Sequence, residues 1–301
     1  MSSNLRICLS SGILAVFLFT GLSFAQQDLS NVQIKTIKVT PRIYMLEGAG
    51  GNIGVSTGDN GVFLIDDQYA PLTDKILGAV SKLSDKPVKF LINTHWHFDH
   101  TGGNENIGKG DTIIVAHENV RKRMAAGQVM EAINMTIPPA SPHALPVVTF
   151  PTGLTFHWND ETIEVLHFPD SHTDGDSVIF FKTANVIHTG DLFFNGFYPF
   201  IDAQSGGSLK GMIKSADKIL ERTDDATKLI PGHGPLATKA DLKAYRAMLQ
   251  EVYQAVSDLK NQGKTVDEVI AAKPTQKYDA KWGKGFLPPD KWVKIVYSAL
   301  D

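Results

Sequence analysis

Four side chains able to hold a metal ion fall within six residues in the segment Thr94-His95-Trp96-His97-Phe98-Asp99-His100. Imidazole nitrogen and carboxylate oxygen are ligands for divalent transition metals, and water on such an ion becomes a nucleophile near neutral pH. His95 and His97 are two positions apart, so they cannot stack one turn apart on a helix; a loop must turn them toward a common point. Several polar rings packed together without an ion would leave buried nitrogens unpaired, which is costly. The cluster therefore reads as a metal site.

The elements around the cluster have to bring it together. Val88 to Ile92 reads as a buried strand running directly into it. Before that, Gln33 to Val39 alternates apolar and polar residues, and Ile43 to Leu46 continues the pattern after Pro41. Gly48 to Gly54 breaks the strands, and Gly61 to Asp67 is a buried strand ending in carboxylates. Leu72, Ile76, Leu77, Val80 and Leu83 then recur at helical spacing over residues 71–83. The same grammar returns with strands at Thr162 to Phe168, Ser177 to Phe181 and Val186 to Ile187, followed by a helix from about Ser208 to Arg222. Strands and helices thus come in two similar halves. Between them Pro138, Pro139, Pro142, Pro146 and Pro151 exclude regular helix or central strand, so the stretch reads as a connection. A further helix is marked by Leu242, Tyr245, Leu249, Val252, Val256 and Leu259, and Thr265 to Glu268 has the form of a capping box.

The His95–His100 motif, preceded by strand-helix-strand and followed by Thr101-Gly102-Gly103-Asn104, resembles the metallo-β-lactamase superfamily. The resemblance extends in order over about residues 40–235: Ser171-His172-Thr173-Asp174-Gly175-Asp176, Thr189-Gly190-Asp191 and Pro231-Gly232-His233-Gly234 match later motifs of that family. It implies an α/β fold, an αββα sandwich with the metals at one sheet edge between the two halves. It also implies that His95, His97 and His172 hold one metal, that Asp99, His100 and His233 hold a second, and that Asp191 bridges them. Two ions sharing a water, most naturally Zn2+ with iron or manganese as alternatives, would make a hydrolase that cleaves an acyl bond with metal-activated hydroxide. Asp99 is the candidate catalytic residue, placed to orient that hydroxide. β-Lactams, lactones, esters and thioesters are the substrate classes. Asp191 stands where one β-lactam-hydrolysing subclass has cysteine, and Phe194 where that subclass has a substrate-gripping lysine, so the match is nearer to glyoxalase-type and lactonase-type relatives. Two other readings share part of the site: an enzyme with one iron that oxidises persulfides, and a metal-binding protein without catalysis.

Seven other features are ambiguous. His188, on the strand leading to Asp191, reads as a packed residue rather than a ligand, and His117, His143, His157 and His167 have no partner at ligand spacing. Asp66, at a strand end, either bonds a ligand histidine or simply closes a turn. The aromatics within Leu192 to Phe200 suit a pocket wall and a core equally well.

Residues 1–25 read as an export signal, with Arg6, an apolar stretch from Ile13 to Phe19, and Ser23-Phe24-Ala25 before a cleavage that starts the mature chain at Gln26. The apolar stretch falls short of the roughly 18–20 residues that span a bilayer. Cys8 is the only cysteine of the 301 residues, so the mature chain has neither a disulfide nor a thiolate ligand. Residues 26–301 form a single hydrolase domain on this reading, periplasmic or secreted, with 28 basic against 32 acidic residues and a balance of -4. That charge fits a small-molecule substrate and not nucleic acid, and no apolar run after residue 25 suits a membrane.

Overall fold

The computed structural model describes residues 28–130 and 135–300, and the expected export signal lies outside the described residues. Short runs of apolar and β-branched residues form the strands β1 (Lys35–Lys38), β2 (Ile43–Glu47), β3 (Ile53–Ser56), β4 (Val62–Ile65), β5 (Val88–Ile92) and β6 (Ile113–His117). They are followed by β7 (Gln128–Met130), β8 (Met135–Ile137), β9 (Val148–Phe150), β10 (Gly153–Trp158), β11 (Glu161–His167) and β12 (Ser177–Phe181), then β13 (Val186–His188), β14 (Lys228–Ile230) and β15 (Ala237–Thr238). One sheet runs β1-β2-β3-β4-β5-β6-β9, the other β10-β11-β12-β13-β14-β15, and β7 and β8 form a separate ribbon.

Alternation along the strands explains the layering, because successive side chains leave a strand on opposite faces. Phe63, Ile65 and Ile92 meet Ile163, Val165, Ile179 and Ile230 between the sheets. Their neighbours Leu64 and Leu91 face outward, where helix α1 (Thr73–Val80) covers them with Ile76 and Val80. On the second sheet Phe180, Ile187 and Leu229 face outward under later helices. The fold is thus the expected αββα sandwich. Each half contains a parallel strand pair joined by a helix: β4-α1-β5 in the first, and β13 and β14 joined across residues 209–221 in the second.

The short helices α2 (Phe98–Thr101) and α3 (Asn104–Gly108) follow β5, and α4 (Glu118–Ala126) follows β6. Then come α5 (Leu209–Glu221), α6 (Lys239–Asn261), α7 (Val266–Ala271), α8 (Asp279–Trp282) and α9 (Pro289–Ser298). Ser208 caps α5 by accepting from Gly211 N, and the capping box at Thr265 and Glu268 is present at the start of α7. The proline-rich stretch does connect the halves, but it also supplies β9, parallel to β6 at the edge of the first sheet. Pro146 and Pro151 flank that strand, as an edge strand tolerates. Strands β3, β6, β7, β8, β10, β14 and β15 go beyond the sequence reading, and β3 begins inside the Gly48 to Gly54 stretch expected to break the strands.

Candidate metal centre

All seven metal-type residues come from the carboxyl-terminal ends of β5, β11, β13 and β14 or the loops just beyond, at one edge of the sandwich. After β5, His95 lies in the loop and His97 is extended (φ -63°, ψ 145°) at the start of α2, which carries Asp99 and His100. Thr101 Oγ1 donates to the His97 carbonyl at 3.1 Å and pins this turn. His172 is held by its own backbone: its N–H donates to Asp176 Oδ2 at 2.7 Å, and the next N–H, that of Thr173, donates to the same oxygen at 2.8 Å. Asp191 lies in a 3₁₀ turn, Gly190–Leu192, just beyond β13. His233 follows β14, its carbonyl accepting from Asn195 N at 2.8 Å. Close approach makes glycine necessary at position 232: a Cβ there would lie 2.0 Å from Asp191 Oδ1 and 2.6 Å from the Gly190 carbonyl carbon.

The side chains form two groups. Ligand atoms of His95, His97, His172 and Asp191 lie within 4.8 Å of one another, as do those of Asp99, His100 and His233. Asp191 stands between the groups, with Oδ2 3.4 Å from both His172 Nε2 and His233 Nε2, and Oδ1 3.1 Å from His100 Nε2. The structure therefore brings together every residue the motifs singled out.

Hydrogen bonds on the outer nitrogens decide what faces inward. His97 Nε2 meets Asp202 Oδ2 at 3.0 Å, His172 Nδ1 meets the Phe200 carbonyl at 2.8 Å, and His100 Nδ1 meets Asp66 Oδ2 at 2.7 Å. His95 Nδ1 is 3.0 Å from Thr94 Oγ1, which donates to Asp66 Oδ2 at 2.7 Å. Each outer partner accepts the ring proton and leaves a lone pair on the inner nitrogen. His97 Nδ1 and His172 Nε2 then face each other at 2.9 Å with both protons committed elsewhere. His95 Nε2 and Asp191 Oδ1 are buried without a hydrogen bond. Converging lone pairs and orphaned buried atoms, all nitrogen and oxygen, fit a divalent metal.

The electrostatics agree. Burial pushes the Asp191 carboxyl up, but His100, His233 and His95 together hold it well below the usual carboxylate range. Burial likewise opposes ionisation of Asp99, and His100 and His233 overcome it to leave that carboxyl at about 2. Burial lowers His172 to about 4, so it is a neutral imidazole at ordinary pH.

Asp66 proves to have both suggested roles: it turns the chain with φ 61° and anchors His100 directly and His95 through Thr94. Asp202 escaped the sequence reading, and so did the role of Asp176 though not the residue itself. Asp202 lies 105 positions from His97 with no motif linking them, whereas Asp176 closes the Ser171–Asp176 segment and was legible as part of it. His188 is a packed strand residue, bonded to the Asn52 carbonyl at 3.1 Å. His117 and His167 stand outside both donor groups, as read; their rings stack on each other, 3.7 Å between centroids, and each bonds a backbone carbonyl.

A cavity of about 420 Å³ opens over both groups, bounded by Asp99, Asp191 and His233 and walled by Tyr69, Phe98, Met130, Phe194, Phe200 and Phe286. Phe194 stacks on His233 at 5.0 Å and 13°. Phe193 instead points into the core against Tyr245 at 5.0 Å, so the aromatic run 193–200 serves wall and core alternately.

A sequence profile of the metallo-beta-lactamase superfamily matches residues 47–233, which span the whole metal cluster. The chain belongs to the metallo-beta-lactamase superfamily. As a metallo-hydrolase of that superfamily it acts on a small molecule. It is 27% identical over 188 residues to the probable metallo-hydrolase YqgX of Bacillus subtilis (strain 168), covering 58% of this chain and 85% of the relative. It is 23% identical over 267 residues to a linear primary-alkylsulfatase of Pseudomonas sp. (strain ATCC 19151), covering 75% of this chain and 48% of the relative. Among solved structures, the metallo-beta-lactamase from Pontibacter korlensis superposes with a TM-score of 0.59 at 21% identity over 72% of this chain and 99% of that one. The stereoselective inverting sec-alkylsulfatase Pisa1 from Pseudomonas sp. superposes with a TM-score of 0.67 at 19% identity over 88% of this chain and 50% of that one. This chain thus spans about half the length of the alkylsulfatases it matches. Among the described residues of this superfamily member, no helix is long and apolar enough to cross a membrane.

Proposed function

We propose that this metallo-hydrolase uses two zinc ions to cleave an acyl ester, lactone or thioester whose reacting end is uncharged. The observation that carries the reading is the cavity wall. It is aromatic and aliphatic around the metal-type residues, and among the described residues that line it there is no lysine or arginine. A substrate gripped there by a carboxylate, as a β-lactam drug would be, lacks a cationic side chain to meet it. Two donor groups sharing Asp191 support the two-metal reading, and the donor set of imidazoles and carboxylates with no thiolate supports zinc.

Such a pair of ions lowers the pKa of water toward about 7 and polarises a carbonyl. The chain's own residues do the rest. Asp99 is ionised across the working pH range, so its carboxylate would accept a hydrogen bond from the incoming water and fix its direction, while His233 Nε2, 3.3 Å from Oδ2, holds that carboxylate in place. Tyr69, Phe194 and Phe200 displace bulk water from the acyl group. Water adds to the acyl carbon, and the bond from that carbon to the leaving oxygen or sulfur breaks. A proton from the water passes to the leaving atom, and the acid departs with an alcohol or thiol, the two joined in one molecule when the substrate is a lactone.

A chromogenic panel tests this. Uncharged p-nitrophenyl esters and lactones are expected to be hydrolysed at least about tenfold more efficiently than a carboxylate-bearing β-lactam, tenfold being the scale of one modest interaction. Chelation should abolish the activity and zinc restore it. Preference for the β-lactam would overturn the substrate reading. Turnover that persists in metal-free protein would overturn the metal reading. The relatives named alkylsulfatases favour a second reading, a sulfate ester, so an alkyl sulfate belongs in the panel.

We also propose that the enzyme is exported, to the periplasm or the medium. The motif Ser23-Phe24-Ala25 supports this and predicts Gln26 as the mature amino terminus. Intact mass of protein from a bacterial host with a general secretion system should give that terminus. A chain retaining residues 1–25 would contradict export.

A further inference from the structure

Behind Met130 and Phe200 lies a second cavity of about 430 Å³. Those two side chains line both cavities, so the second cavity adjoins the metal centre at them. The lining is apolar near Met130 and Phe200, with Ile201 beside Phe200 and Ile295 contributed by α9. The rim carries Lys291 and Lys294, three positions apart on α9 and hence on one face of it. Both lysines are exposed, and among the described residues neither makes an ion pair. Among the described residues of the lining the acid is Asp202, 3% exposed and engaged by His97 Nε2 at 3.0 Å.

Charge is therefore graded along this cavity. A carboxylate lies at the end nearest the metal-type residues and two ammonium groups at the mouth, with apolar side chains between. An anionic head is repelled from the deep end and attracted to the rim, while an apolar chain gains by burial in the middle. The two ammonium groups at the mouth suit an anionic end of a ligand.

We propose that this cavity is a subsite for the carboxylate end of an amphipathic acyl substrate. Its ester lies at the metal centre, and its apolar chain passes over Met130 and Phe200 to the lysines. The inference rests on the ester reading above and narrows it to carboxylate-terminated medium-length acyl chains.

The test pairs two esters of similar length, mono-p-nitrophenyl suberate and p-nitrophenyl octanoate, with zinc-loaded enzyme at low salt. In the double variant Lys291→Ala/Lys294→Ala, KM for the suberate ester should rise at least about tenfold with kcat held within about twofold, as loss of charge-assisted contacts predicts. The octanoate ester should be unaffected, and Lys291→Arg/Lys294→Arg should keep the wild-type preference. Decanoate binding to the zinc-loaded protein, followed by calorimetry, should weaken in the alanine variant and with added salt. An equal rise in KM for both esters, or no change for either together with unchanged decanoate binding, would overturn the subsite. If the wild type cleaves neither ester, the ester reading fails, and decanoate binding still decides whether the subsite exists.

Discussion

His233→Ala is expected to lower the metal content of purified, zinc-replete protein from close to two ions per chain toward one, and to reduce hydrolysis at least about a hundredfold, the scale of losing one electrostatic stabiliser. His233 is the member of the Asp99-His100-His233 group that comes from the second half of the chain, and its Nε2 lies 3.3 Å from Asp99 and 3.4 Å from Asp191. Without it only Asp99, His100 and the shared Asp191 remain, a weaker set for a second ion. Folding should persist, because His233 is partly exposed at the sandwich edge while the apolar clusters lie elsewhere. Elemental analysis beside steady-state kinetics reads both quantities. Unchanged metal content with near-normal hydrolysis would reject a second site. A stoichiometry near one iron, with oxygen consumed in the presence of a persulfide, would favour the oxygenase reading.

The second large effect is expected at Asp66, which touches no substrate. Its side chain is fully buried and accepts from Thr94 N at 2.8 Å, Thr94 Oγ1 at 2.7 Å and His100 Nδ1 at 2.7 Å. Asp66→Asn keeps a residue type that tolerates φ 61°, so the change reports on the carboxylate rather than on backbone strain. Asparagine can satisfy Thr94 N or His100, but its amide then presents donors where only acceptors fit. Each stranded buried donor costs about 1–3 kcal/mol, so equilibrium unfolding in urea should show a loss of about 2–4 kcal/mol. Zinc affinity, measured by chelator competition, should fall about 10- to 100-fold, as for other outer partners of ligand histidines. Wild-type stability and affinity in this variant would show that Asp66 only closes a turn.

Local patterns carried much of this in the sequence. Phe63 and Leu64 announce a strand buried on both faces, and the spacing of His95, His97, Asp99 and His100 announces a metal-holding loop, because both depend on neighbours a few residues away. Ser208 and Thr265 mark helix starts for the same reason. What escaped depends on long-range encounters. Asp202 reaches His97 only because the loop after β13 folds back over His172, whose carbonyl accepts from Asp202 N at 3.1 Å. His117 and His167 end strands of different sheets and stack only once the sheets pack. Strand β9 is three residues long and flanked by prolines, so its pairing with β6 is decided by the sheet rather than by its own composition.

The seven metal-type residues are divided between the halves: His95, His97, Asp99 and His100 leave the first sheet, and His172, Asp191 and His233 leave the second. An ion in either group therefore acts as a cross-link between sheets that otherwise meet through apolar side chains. A ligand that binds only the folded chain adds about 4 kcal/mol of stability at a thousandfold excess over its dissociation constant. The melting temperature of this enzyme should accordingly rise with the free concentration of the metal it binds, so metal scarcity would appear as a shorter-lived protein as well as lost activity.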